Sequence, residues 1–371
     1  MILVSLILVF VLIYSVIFSY LNSGLKKLIP CDSTRTPPVS VIVAARNEEQ
    51  NIRRCVTAVL NQKYPPNSYE LIVVDDNSTD QTFSILKEIA KENPNLKIVR
   101  VAGAQSEQSN GSKKNALSAG IDNARHDLLL FTDADCIPPR QWIRTTVSCF
   151  KDDVGLIAGF SPLIDQGNSI LGKLVQCDSL MAASLAAAGI SRNFPITCTG
   201  RNLAYRKTVF KEVGGFSEII RSLSGDDDLL LHLIHRQTDW KIKYNININS
   251  SVPSVQESQV SRILSQKQRH ISAGKYFPLS VKLFYALLHL TNFGCYLFLI
   301  ISMITATYQI TALLLLFIKI IFGYIFLRTG ARKFEMTHLL KYNLLWEIYF
   351  LFYNLLGGPR AFFGKIQWAK T

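Results

Sequence analysis

The chain has 371 residues, 49% of them hydrophobic, and a formal net charge of +13 at pH 7. That length accommodates one α/β domain of ordinary size together with membrane segments. The basic residues form no single patch interleaved with stacking aromatics, which argues against a nucleic-acid binder; an anionic membrane surface and anionic diphosphate substrates account for the charge.

Ile2 to Leu21 are almost wholly apolar and uncharged, and about 20 such residues cross a bilayer. No basic segment precedes the run and no small-x-small site follows it, so residues 1–24 read as an uncleaved anchor rather than a signal peptide. Lys26 and Lys27 place the following residues on the cytoplasmic side. Thr34 to Pro38 is a short polar link. Seven cysteines (Cys31, Cys55, Cys136, Cys149, Cys177, Cys198 and Cys295) are scattered, with no Cys-x-x-Cys pair. This suggests neither a disulfide framework nor a zinc site and fits a reducing cytosolic face.

Val39 to Ala45 is a β-branched run and reads as a buried strand, followed by Arg46 and Glu48. A helix over about 50–61 carries Ile52, Val56, Val59 and Leu60 on one face. Glu70 to Val74 is a second strand, ending in Asp75, Asp76 and a polar cluster that caps a helix over 81–92. Ile98 to Val101 is a third strand, Gly103 to Ser112 a polar flexible loop, Lys113 to Ala124 a helix, and Asp127 to Phe131 the next strand. Strands alternating with helices predict a parallel, doubly wound sheet, whose ligands bind beyond the carboxyl ends of the strands. Arg46, Asp76, Asp133 and Asp135 all lie just past strand ends.

Asp133 and Asp135 form an Asp-x-Asp motif whose side chains project the same way. Close carboxylates repel, and a cation beside them relieves the repulsion. Hard oxygen ligands of this kind suit Mg²⁺ or Mn²⁺ holding a substrate diphosphate. A pattern this short also serves as a plain loop or helix cap. Asp226, Asp227 and Asp228 precede a buried helix, where capping is again the simpler role. Gln266 and Arg269, three apart, share one helical face. His232, His235 and His289 match no metal-ligand spacing and read as structural.

Toward the C-terminus, Leu279 to Met303 and Tyr308 to Leu327 are each long enough to span, although Lys319 inside the second counts against it. Arg328, Arg332, Lys333 and Lys341 return the chain to the cytoplasm. Tyr342 to Leu356 carries Glu347 and is either a third C-terminal span or a helix in the interface.

Seven segments together resemble the inverting glycosyltransferases of family 2, which have the nucleotide-sugar-binding GT-A fold. They are Val39–Glu49, Val73–Asp80, Gly111–Leu117, Phe131–Cys136, Thr199–Arg206, Gly225–Leu230 and Gln266–His270. They occur in the family's order across residues 36–275, and the membrane layout is similar to the branch containing cellulose, hyaluronan and poly-N-acetylglucosamine synthases. The resemblance implies a GT-A domain over 36–275, with residues 278–371 as a C-terminal membrane region of two to three helices.

It also implies roles. Asp76 would contact the base, while Arg46 and Glu48 would line the nucleotide pocket. A basic residue at Lys113 or Lys114, here assigned to Lys114, would lie near the donor. Asp135 would ligate the metal, with Asp133 on the ribose or a metal-bound water. Gly200 would allow backbone to approach a sugar. Asp227 would be the general base with Asp226 beside it. Gln266 and Arg269 match the branch's Gln-x-x-Arg-Trp, with Arg269 on the diphosphate; His270 stands where Trp is expected, which favours single transfer over processive extrusion.

The expectation is a metal-dependent hexosyltransferase of cell-envelope glycan synthesis in the inner or plasma membrane, multi-pass, with its catalytic domain cytoplasmic. It would take a nucleotide-sugar, expected to be UDP-linked, and a lipid-linked or glycan acceptor. Helices over 170–188 and 262–276 are expected on the interface, presenting the acceptor. The alternatives are a processive polysaccharide synthase and a catalytically silent membrane scaffold.

Overall fold

The computed structural model describes residues 2–101, 112–165, 167–222, 224–257 and 259–363. The expected loop over 103–112 lies almost entirely outside them. Helix α1 (Ile2–Lys27) leads into strand β1 (Val39–Ala45), helix α2 (Ile52–Leu60), strand β2 (Tyr69–Asp75), helix α3 (Thr82–Ala90), strand β3 (Leu96–Arg100), helix α4 (Ser112–Asn123) and strand β4 (Leu128–Asp133). These are the elements expected from the apolar spacing, with boundaries moved by a few residues. Helix α5 (Trp142–Val147), strands β5 (Val154–Gly159) and β6 (Leu163–Ile164), the long helix α6 (Ile170–Ser191) and strand β7 (Leu203–Arg206) follow. Then come α7 (Lys207–Glu212), α8 (Asp228–Gln237), β8 (Lys241–Asn245), β9 (Ser254–Val255), α9 (Val260–Ala273), α10 (Leu279–Thr305), α11 (Gln309–Lys333) and α12 (Asn343–Phe363).

Seven strands form one sheet in the order β3-β2-β1-β4-β7-β5-β8. Neighbours β3, β2, β1 and β4 are parallel, as expected. The parallel expectation fails at β7, which runs antiparallel to both β4 and β5, so the sheet is mixed. The chain leaves β5 and, after α6, enters β7 at the same end of the sheet, the end where β4 finishes. Phe131 on β4 faces Leu203 on β7. This reversal delivers the turn before β7, residues 199–202, to the rim where β1, β2 and β4 end. The register aligns that rim, with Ala45 beside Asp75 and Ala44 beside Asp133.

Apolar side chains cover both faces. On one face α2 and α5 pack against Val41, Val43, Leu71, Leu130 and Ile157. On the other lie α4, α6 and the membrane helices. Buried at its strand start, Glu70 accepts from Ser40 Oγ at 2.6 Å, Arg125 N at 2.7 Å and Arg125 Nε at 2.9 Å. Despite the cost of burial, these donors hold its carboxyl below the usual value.

Among the described residues, four helices, α1, α6, α10 and α11, are long and apolar enough to cross a membrane. Expected on the interface, α6 is instead sandwiched: it packs on β8 on one side and on α1, α11 and α12 on the other. Leu180, Leu185 and Ala186–Ala188 are buried there. A Cβ added at Gly330 of α11 would lie 1.9 Å from Ser184 Oγ of α6, so the two helices approach as closely as they do because that residue has no side chain.

Two polar features of the sequence find partners. Lys319, the charge that counted against a span, pairs inside the bundle with Glu347 of α12. Both are almost fully buried. The expectation of no disulfide is corrected: Cys31, in the link after α1, is bonded to Cys149 just beyond α5. The two are 118 residues apart in sequence, and spacing rules cannot reveal a pair that only the fold brings together.

Replacing one member of a buried ion pair leaves the other charge uncompensated, at a cost of about 3–5 kcal/mol, whereas replacing both with apolar residues is close to neutral. Lys319→Met should therefore lower the midpoint of thermal unfolding in detergent sharply, and Lys319→Met with Glu347→Met should recover most of the loss. Equal destabilisation by single and double variants would show that the pair is not what secures α12.

Candidate active site

The site is built first by two loops. Asn47 and Asn77 adopt left-handed backbone conformations, φ 55° and 56°, which asparagine tolerates better than most residues. The bends allow the loops after β1 and β2 to bond each other. Asn47 N donates to Ser78 Oγ at 3.0 Å, Thr79 N to Asn47 Oδ1 at 2.9 Å and Glu49 N to Asp80 Oδ2 at 3.1 Å. Arg46 and Asp76 are thereby set side by side on the rim, 3.9 Å apart. Glu48 lies lower and accepts from Asn51 Nδ2 at 2.9 Å. Burial, then the charges of Asp135, Asp133 and Asp80, outweigh that bond and push its carboxyl up to about 7.

Asp133 ends β4, and Asp135 follows in the turn. Asp135 receives Cys136 Sγ at 3.2 Å and Ser254 Oγ at 3.3 Å. Burial and the neighbouring Asp133 raise its pKa above the usual aspartate value, against these donors and the Arg201 charge.

The two acidic clusters meet through one lysine. Lys113 Nζ lies 3.1 Å from Asp133 Oδ1 and 3.1 Å from Asp226 Oδ2. Burial alone would lower its pKa, but Asp133, Asp226 and Asp227 raise it above the usual lysine value. Lys114, the residue assigned to the donor from sequence, does not reach the cleft. Its ammonium is buried and donates to the carbonyls of Ser222 at 2.7 Å and Ser224 at 3.0 Å. One residue is about 100° of helix, so consecutive lysines at the start of α4 point to different partners. Lys113 faces the carboxylates, and Lys114 holds the loop that leads to them.

That loop presents Asp226, Asp227 and Asp228 in three environments. Asp228 is part of the scaffold, accepting from Thr197 Oγ1 at 2.8 Å and Cys198 N at 2.7 Å. Asp227 caps α8, as the simpler reading expected: Oδ1 accepts from Asp228 N at 2.8 Å. Its other oxygen accepts from Gly200 N at 2.8 Å. A Cβ at position 200 would lie in ordinary contact, 3.5 Å, with both Asp226 Oδ2 and Asp227 Oδ2, so Gly200 borders the acidic loop closely. For Asp226, burial is overcome by Lys113 and Lys114, and the pKa falls below the usual value. For Asp227, burial and the Asp226 charge outweigh Lys113 and the two amides, and the pKa rises. Environments that push adjacent carboxyls apart mark separate acid–base roles.

A small cleft between these groups is lined by Lys113, Asp133, Gly200, Tyr205 and Asp226. Helix α9 brings Gln266 and Arg269, the first exposed and the second half-buried. His270 keeps solvent contact; desolvation, then the positive charges of Arg269, Arg201 and Lys113, push its imidazole down to about 4. It is neutral at pH 7. Sequence reasoning missed Arg201, whose charge acts on both Asp135 and His270; the signal available was its place beside Gly200. Ser254 was also missed, because β9 is two residues long and carries no pattern of its own.

Among the described residues, no group of three His, Cys, Asp or Glu side chains is arranged to hold a metal by itself. Asp135, raised by burial and by the Asp133 charge and held only by a thiol and a hydroxyl, fits with Asp133 a divalent ion that keeps waters and completes its shell from a substrate phosphate, the habit of Mg²⁺ and Mn²⁺.

The family model described as Glycosyl transferase family 2 matches residues 40–214. The chain is 30% identical over 240 residues to glycosyltransferase AglE of Haloferax volcanii, covering 64% of this chain and 73% of that protein. It is 28% identical over 200 residues to a protein of Bacillus subtilis described as probable glycosyltransferase YdaM, covering 53% of this chain and 46% of that protein; the match thus spans about half of that relative's length. Among solved structures, the fold is similar to that of the mannosyltransferase PcManGT from Pyrobaculum calidifontis in complex with GDP-Man and Mn²⁺. There the TM-score is 0.55 at 17% identity, covering 94% of this chain and 99% of that one.

Lys113→Met removes the charge between Asp133 and Asp226. Because these side chains are 12–34% exposed, the cost is screened to about 1–2 kcal/mol. Asp226 has a lowered pKa, so its pairing stabilises the fold above the usual value of 3.8 and the contribution is lost as pH falls through its folded value. The stability gap between wild type and Lys113→Met should therefore be widest at neutral pH and close below about pH 4. A gap independent of pH would show that Lys113 acts by packing alone.

Proposed function

Because the chain belongs to glycosyl transferase family 2, we propose that it is a membrane-bound inverting glycosyltransferase. It moves one sugar from a nucleotide-diphospho-sugar, UDP-linked in our reading, to a membrane-associated glycan or lipid acceptor. The observation that carries this reading is the Lys113 bridge between Asp133 and Asp226, which sets the donor end and the acceptor end of the site within one cleft.

Arg46, Glu48 and Asp76 line the nucleotide, with Asp76 on the base. Asp135 and Asp133 would hold Mg²⁺ or Mn²⁺, which when bound would supply positive charge to offset that developing on the leaving diphosphate. Gln266 and Arg269 close over that diphosphate from α9. Asp227 is the general base. An acceptor hydroxyl attacks the anomeric carbon from the face opposite the diphosphate and its proton passes to Asp227. The bond from that carbon to the diphosphate oxygen breaks, and its electron pair leaves with the diphosphate. The raised pKa of Asp227 makes it a stronger base than an ordinary aspartate, and Asp226, held ionised by Lys113, favours proton uptake beside it.

The placement of α6, which packs against β8 and against apolar helices, supports a membrane-associated acceptor. Lys26 and Lys27 at the end of α1, and Arg328, Arg332 and Lys333 at the end of α11, support a cytoplasmic active site. His270 supports single transfer, since an imidazole offers a smaller stacking surface than an indole.

Detergent-purified full chain should turn over one nucleotide-sugar from a panel of UDP- and GDP-linked donors. EDTA should abolish turnover and Mn²⁺ restore it. Asp227→Asn should cut the rate about 10²–10⁴-fold in protein that remains folded. Products one sugar longer than the acceptor support single transfer, whereas a ladder of lengths would establish the processive alternative. Absence of both turnover and Mn²⁺-dependent binding of UDP or GDP would favour the silent scaffold and end this reading.

A further inference from the structure

Helix α9 carries Gln266 and Arg269, yet it is not part of the sheet's own packing: its principal contacts among the described elements are with α12. Lys267 supplies a charged contact among them. Its ammonium forms an ion pair with Asp178 of α6 and lies 4.3 Å from the Tyr353 ring centroid and 5.1 Å from that of Tyr349, both on α12. The two rings stack, with centroids 5.9 Å apart and planes 11° from parallel. The Lys267 side chain is only 14% exposed. A lysine this enclosed needs its partners, and here they come from two other helices. Tyr349 and Tyr353 are four residues apart, one helical turn, so one face of α12 supplies both. That helix is itself fixed to α11 through Glu347 and Lys319.

We infer that Lys267 is a positioning residue, which sets Arg269 and Gln266 over the donor diphosphate by clamping α9 to Asp178 and to the Tyr349–Tyr353 face of α12. The inference rests on the reading of α9 as the diphosphate-binding element. It assigns the membrane-proximal helices a part in donor binding: they hold the side chains that close the site, while the sheet holds the nucleotide and the metal. Lys267 touches no substrate itself, and its effect passes through its neighbours one and two residues along the same helix turn.

The test uses full-length protein in detergent with Mn²⁺ and two probes, the nucleoside diphosphate that the wild type binds, UDP or GDP, and the matching monophosphate, which lacks the β-phosphate. Lys267→Met and Asp178→Asn should each weaken diphosphate binding about tenfold, the value of one charge-assisted contact, and leave monophosphate binding unchanged. Lys267→Arg should restore diphosphate binding, and the Lys267→Met/Asp178→Asn double variant should be no worse than either single. Unfolding temperatures separate a lost clamp from a lost fold. Equal weakening of both probes, or none by either single variant in protein that remains folded, overturns the inference alone. A wild type that binds neither UDP nor GDP overturns the functional reading and the inference with it.

Discussion

Carboxylates brought together for one task repel each other, and Lys113 is the group that makes their assembly tolerable here. Asp133 comes from the end of a strand and Asp226 from a loop before a helix, yet both lie 3.1 Å from the same ammonium. Without that charge the cleft would hold Asp133, Asp135, Asp226 and Asp227 with Glu48 close by, and each would raise the pKa of the others. With it, the acids separate into distinct states. Asp226 is lowered, Asp227 is raised and Asp228 is bound into the scaffold by Thr197 and Cys198. The remaining stress, at Asp135, falls where a divalent ion would relieve it.

Strand direction creates this geometry. A purely parallel sheet would start β7 at the opposite edge, far from the carboxyl ends of β1 and β4. Because β7 is reversed, the turn containing Gly200 and Arg201 arrives at the active rim, and Gly200 N bonds Asp227. One irregular strand thereby links the donor-binding half, assembled from parallel strands, to the acidic loop before α8. Asn202, buried at the base of this turn, is fully engaged: it accepts from Trp142 Nε1 at 2.9 Å and donates to the carbonyls of Phe160 and Ser250 at 2.8 Å. Such satisfied buried polar groups fix one arrangement, because any other leaves them unpaired.

The membrane-facing half obeys the same rule in a harsher solvent. Lys319 inside an apolar helix is expensive unless paired, and Glu347 supplies the pair while bringing α12 into the bundle. From α12 the aromatic face reaches Lys267, and from Lys267 the helix turns to Arg269. A line of charge and aromatic contacts therefore runs from the apolar bundle to the cleft.

The sequence by itself determined the alternating strands and helices, the anchor, the hairpin of apolar helices and the carboxylates at strand ends, because these are signals written in neighbouring residues by period and length. It singled out Asp133, Asp135 and Asp227 as candidates through short motifs in order. Tertiary structure alone decided the rest. Which of Lys113 and Lys114 faces the cleft depends on the rotation of α4 about its own axis. The direction of β7 depends on where α6 releases the chain. Cys31 with Cys149, Lys319 with Glu347 and Lys267 with Asp178 are pairs between residues distant in sequence, and no local pattern records such a distance. Periodicity reports which face of an element is apolar; only the packing of those faces settles which polar groups meet.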